Sequence, residues 1–203
     1  MKKSIVLILL LALTFFTASC SHSLENNYPK DLNTSDVSSE YPILIIHPDW
    51  PSYNTAEEIV KAATNIYSGT VIDISFAIVD MKKGSVDEDP KSSNTSRMLY
   101  TIYTVEVQES YKGDSLSKTQ ICKIGGLNNY RVKEQYDLMD ISGILSQYSG
   151  IPVCDDHCSL AVGNTYLFCT SRTIGDFDYI INPTQFAYDP TSKNAKNIIS
   201  SID

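Results

Sequence analysis

Apolar positions fall into short periodic runs separated by long polar stretches, and the period changes along the chain. Tyr41 to His47 is a brief apolar run closed by Pro48 and Pro51, which predicts an initial strand or extended arm. Thr55 and Glu58 have the spacing of a capping box, and Ala56, Ile59, Val60 and Ala63 repeat at helical intervals, which predicts a helix over 56–65. Ile72, Ile74, Phe76 and Ile78 then alternate with polar residues, the period of a half-buried strand. Lys82 to Arg97 is polar and reads as a long exposed connection. Alternation returns with Tyr103, Val105 and Val107, and 119–124 makes another strand that Gly125-Gly126 interrupts. A helix over Val132–Tyr148 is weakened by Gly143. Val162-Gly163-Asn164-Thr165 is a turn into a strand at 166–171, and 179–188 is a last strand broken at Pro183. Short strands, one capped helix and long polar connections describe a small antiparallel barrel or an α+β domain.

The first 19 residues follow other rules. Lys2 and Lys3 precede an apolar run from Ile5 to Phe16, interrupted only by Thr14. A permanent membrane helix needs roughly 20 such residues, so this is the length of an export signal. Thr17-Ala18-Ser19-Cys20 puts small side chains directly before a cysteine and resembles the lipobox of bacterial lipoproteins, with Phe16 and Thr17 standing where Leu is commonest. The resemblance implies that residues 1–19 are removed and that Cys20 carries lipid, palmitate included, on the outer face of the cytoplasmic membrane. An ordinary secretory cleavage after Ala18 or Ser19 is the alternative. Residues 20–40 are rich in Ser, Asn and Asp, too polar to offset the entropy of ordering, and read as a tether to one β-rich extracellular domain at 41–203.

The chain has 24 acidic residues against 16 Lys and Arg, a net charge of −8. Nucleic acid is bound through dense positive charge and is not an expected partner. Anionic headgroups are equally unsuited, which leaves the lipid on Cys20 as the membrane contact. Thirteen Tyr against one Trp suits a sheet-rich exported domain, and exposed Tyr binds glycans or peptides.

Three short series carry a further resemblance: Ala-Thr-Asn-Ile-Tyr-Ser-Gly-Thr-Val (63–71), Thr-Val-Glu-Val-Gln-Glu-Ser-Tyr-Lys-Gly-Asp (104–114) and Val-Gly-Asn-Thr-Tyr-Leu-Phe (162–168). Over residues 56–170 this is similar to exported netrin/TIMP-like domains and to related bacterial lipoproteins. It implies a mainly β fold, a small five-stranded OB-like antiparallel barrel with one edge helix, its strands near 70–79, 99–110, 119–124, 165–171 and 179–188. An immunoglobulin-like sandwich is the replacement if the strands form two stacked sheets. TIMP inhibitors bind a protease zinc through a free N-terminal Cys in Cys-x-Cys, whereas here Cys20-Ser21-His22 would be lipidated and tethered, so that activity does not carry over.

Cys154-Asp155-Asp156-His157-Cys158 is the densest group of metal-ligand side chains, with Cys122 or Cys169 available to complete a zinc site. Outside the membrane such cysteines usually pair. Cys122, Cys154, Cys158 and Cys169 allow three disulfide pairings, among them Cys122–Cys169 with Cys154–Cys158, or Cys122–Cys154 with Cys158–Cys169. His47-Pro48-Asp49-Trp50-Pro51 offers a plug for a core edge, the favoured reading of a lone Trp, or else an exposed Trp to a ligand. No nucleophile motif accompanies His47 or His157, Gly125-Gly126 lacks the Lys of a phosphate loop, and Asp87-Glu88-Asp89 lacks EF-hand spacing. No catalytic residue, cofactor or bound metal is therefore assigned. The expectation is a non-catalytic role binding an envelope protein or glycan. The alternative is an extracellular hydrolase using carboxylates or zinc near Cys154–Cys158.

Overall fold

The computed structural model describes residues 40–87, 89, 96–155, 158–172 and 177–202. Cys20 and the whole export segment lie outside them, as do Glu88, Asp156 and His157. Among the described residues nine strands and three helices run in the order β1 (Ile43–Ile46), α1 (Ala56–Ala62), β2 (Asn65–Asp80), β3 (Ser85–Val86), β4 (Arg97–Lys112), β5 (Lys118–Ile124), α2 (Val132–Ile141), β6 (Ile151–Cys154), β7 (Thr165–Arg172), β8 (Asp178–Ile180), β9 (Ala187–Tyr188) and α3 (Lys193–Ser200).

A seven-stranded sheet is ordered β3-β2-β4-β5-β8-β7-β9, with an additional pairing of β2 to β7. Its spine is the antiparallel pair of β2 and β4, each 16 residues long. β5 and β8 run parallel. A separate two-stranded parallel sheet joins β1 to β6, with Ile43 opposite Ile151. The expected small five-stranded, all-antiparallel OB-like barrel with one edge helix is thus overturned by a mixed α/β fold, and the netrin/TIMP-like resemblance goes with it. Two strand pairs are parallel, β1 and β6 form a second sheet, α2 and α3 pack in addition to α1, and 179–188 splits into β8 and β9 around the turn at Asn182 to Thr184.

Local chemistry accounts for the elements. In α1 the Thr55 hydroxyl accepts from Glu58 N–H at 3.2 Å, and the Glu58 carboxylate accepts from Asn54 N–H at 2.6 Å, so the box closes one residue earlier than the sequence spacing implied. In β2 the register slips between Val71 and Asp73, so Ile72 is turned out and 41% exposed while Val71 and Ile74 are buried. A bulge reverses the facing of every residue beyond it, which is why alternation misplaced Ile72. The helix predicted to Tyr148 stops at Ile141 because Gly143 adopts a left-handed conformation (φ 70°). A short 3-10 turn, Leu145–Gln147, follows.

The main core gathers Ile66, Tyr67, Tyr103, Ile121 and Phe168 of the sheet and Phe186 just before β9 with Ile59 of α1 and Ile198 of α3. A second cluster packs Met139 of α2 over Ile78, Leu99 and Val153. A third joins Val79, Tyr100, Ile102, Cys122 and Phe177. β4 therefore touches apolar neighbours on both faces, and Thr101 and Thr104 are buried along with Tyr103 and Val105.

Candidate functional site

Burying one stripe of α1 and one of α3 against the sheet leaves a groove between them of about 600 Å³. Its walls are Tyr53, Asn54 and Glu57 at the start of α1 and Asn194, Asn197 and Ser201 along α3, and Gln185 and Tyr188 come from the β9 hairpin. Ile59 and Ile198 supply apolar surface. Glu57 is the one lining side chain with a formal charge. Its carboxylate is held below its ordinary range by backbone and Thr55 hydrogen bonds, and accepts from the Ser201 hydroxyl at 3.5 Å across the groove.

Several groove residues are held in place by other residues. The Gln185 side chain accepts from Tyr53 N–H at 3.0 Å and donates to Tyr53 C=O at 2.7 Å, fixing the backbone that carries the Tyr53 ring. Ser192 caps α3 by accepting from Ala195 N–H at 3.1 Å. Against this fixed frame, the side-chain amides of Asn54, Asn194 and Asn197 make no hydrogen bond within the described residues. Each offers a paired donor and acceptor to whatever enters.

A smaller hollow of about 280 Å³ unites the two segments the sequence had singled out: Ile46, His47, Pro48, Asp49 and Trp50 on one side, Cys154 and Asp155 on another, closed by Asn182, Pro183 and Thr184. Trp50 both lines it and packs on the main core, so it fills the core edge. His47, Asp49 and Asp155 are exposed. Among the described residues no group of three His, Cys, Asp or Glu side chains is placed to hold a metal. His157 and Asp156 of the sequence motif lie outside them.

Cys122, Cys154, Cys158 and Cys169 form no disulfide with one another, which corrects the disulfide expectation. Cys122 on β5 and Cys169 on β7 are two strands apart with β8 between them. At about 4.8 Å per strand their Cα atoms exceed the reach of roughly 7 Å that a disulfide allows. The Cys154 thiol instead contacts Ile124 C=O at 3.5 Å and the Cys158 thiol Ala187 C=O at 3.6 Å, so the two face different strands. Burial pushes all four thiols up, Cys122 and Cys169 to about 12. Neutral, unreactive sulfur is the consequence.

Beside Cys154 and Cys158 lies a residue that sequence reading passed over. Lys123 is fully buried on β5, its amine makes no hydrogen bond among the described residues, and desolvation pulls its pKa down to about 8. Asp178, also buried, has a carboxyl raised by desolvation despite accepting from Asn65 at 3.0 Å, Thr119 at 3.2 Å and Tyr67 at 3.3 Å. It ties β2, β5 and β8 together. Asp87 is less solvated than its loop suggested, pairing at 2.5 Å with the fully buried Arg97 guanidinium.

The groove residues were missed as well, although one signal was present: Ala195, Ile198, Ile199 and Ile202 keep helical spacing after a Ser192 cap. The fold and these two depressions define a mixed α/β protein with a polar groove that carries one carboxylate. No family model matches the chain, and no curated protein matches it.

Proposed function

We propose that this is a lipid-anchored extracytoplasmic binding protein, held to the membrane through Cys20 and carrying a glycan-binding groove between α1 and α3. The observation that carries the reading is the convergence of three uncommitted asparagine amides and a clamped tyrosine on one groove of about 600 Å³. An amide pairs donor and acceptor at the spacing of neighbouring sugar hydroxyls, and an aromatic face covers the C–H surface of a pyranose ring. One carboxylate and no basic side chain in the lining suit a polar ligand that is not anionic. The export signal and tether support placement where envelope glycans are met.

Full-length protein in detergent, titrated calorimetrically with a panel of neutral oligosaccharides, tests this. The Asn194→Ala/Asn197→Ala double variant should lose about tenfold in affinity, the worth of one to two net hydrogen bonds. Absence of binding across the panel, or equal affinity in the double variant, refutes the groove as the site.

The hydrolase reading draws on one observation, that the smaller hollow places Asp49, Asp155 and His47 on one lining. All three are solvent-exposed, whereas general acid chemistry relies on a carboxyl sheltered enough to keep its proton near neutrality. Binding is the better supported function.

A further inference from the structure

Glu57 gives the groove a selectivity that its asparagines cannot. Asn54, Asn194 and Asn197 treat a sugar hydroxyl, an acetamido group and an amine alike as hydrogen-bonding groups. A carboxylate does not: it favours a cation and repels an anion. Glu57 stands alone in this respect, since the remaining lining residues are Tyr, Asn, Gln, Thr, Ser, Ala and Ile. The groove holds no basic side chain to neutralise it, and the surrounding protein carries a net charge of −8. One of its oxygens meets Ser201 only at 3.5 Å, at the limit of a hydrogen bond, so a stronger donor entering the groove displaces little. Its hydrogen bonds to the backbone and Thr55 hold its carboxyl below the ordinary value and so favour the charged form.

We propose that the groove selects glycans bearing a free amine, with Glu57 as the specificity-determining residue that pairs with the ammonium. This rests on the glycan-binding reading and names its ligand class. The same charge disfavours uronic acids and other anionic sugars.

Three tetrasaccharides that differ only at C2 isolate the effect: the β-1,4 tetramers of glucose, N-acetylglucosamine and glucosamine, titrated into the full-length protein in detergent. At low ionic strength the glucosamine tetramer should bind about fourfold more tightly than the glucose tetramer, the scale of one solvent-exposed ion pair. That ratio should fall toward one at about 0.5 M salt, where screening is strong. Glu57→Gln should bring the ratio to about one at low salt, and Glu57→Asp should retain part of it. A ratio of one in the native protein, a ratio that survives Glu57→Gln, or no binding of any of the three overturns amine selection. The groove reading fails separately, if neutral panel members bind but the Asn194→Ala/Asn197→Ala variant binds them equally well.

Discussion

At the scale of single residues, Lys123 is a costly feature, its buried amine without a hydrogen-bond partner among the described residues. A buried amine without a partner is penalised when charged, and the penalty appears as a pKa lowered from 10.5 to about 8. Below about pH 8 the lysine is protonated in both folded and unfolded chains, so the full penalty, on the order of 3 kcal/mol, is present. Between about 8 and 10.5 the unfolded chain binds the extra proton, and this contribution to stability rises with pH. Cys122 and Cys169 act in the opposite sense there, because their thiols stay neutral in the folded state to about 12 while unfolded thiols ionise. The test is therefore a difference. Lys123→Met should be more stable than the native protein at pH 7 in urea unfolding, and its advantage should shrink between pH 8 and 10.5. A variant that is less stable at pH 7 would show that the amine has a favourable role. Nothing in the pattern around Ile121-Cys122-Lys123-Ile124 marked this position, because alternation reports which face a residue occupies and not whether its charge finds a partner there.

At the scale of elements, the groove depends on two short helices, and short helices depend on their caps. Ser192 satisfies Ala195 N–H at the start of α3, and Thr55 does the same for Glu58 in α1. Ser192→Ala should cost about 1 kcal/mol in chemical unfolding and weaken oligosaccharide binding, since Asn194 and Asn197 lie on the first turns of that helix. Unchanged binding alongside the stability loss would separate α3 from the site. The capped start of α1 was readable in advance, as were the long strands of the sheet. The end of α2 was less so. Gly143 carried the signal, but a glycine weakens a helix anywhere along it, and only the left-handed backbone there makes it a terminator. Gly125 is similar: it reads as an interruption, and the fold uses it to bring β6 close, since a Cβ at its φ of 81° would stand 2.8 Å from Pro152 C=O.

At the scale of the whole molecule, a 20-residue tether between a lipid and the domain would let the groove sample the envelope around the anchor. Metabolic labelling with a fatty-acid analogue checks the anchor directly. The native protein should take up label and Cys20→Ser should take up none; label retained by Cys20→Ser would place the lipid elsewhere or remove it from the account.

The sequence alone determined what is local along the chain. A positive start, an apolar run and a small-residue cysteine site are read as an export signal from sequence order alone, a reading that the Cys20→Ser labelling experiment tests. The α1 cap and the presence of strands over β2, β4 and β5 were legible for the same reason, since each needs only neighbours within a few residues, whereas the bulge in β2 and the burial of both faces of β4 were not. Tertiary structure decided everything that depends on residues far apart. The parallel pairings of β1 with β6 and of β5 with β8 have no turn chemistry to announce them. Strand order put β8 between Cys122 and Cys169 and so denied them a bond. The groove exists because Tyr53 and Gln185, 132 residues apart, hydrogen-bond to each other, and because α3 then packs beside α1. Contacts of that span are chosen by packing of the whole core, which no window of sequence contains.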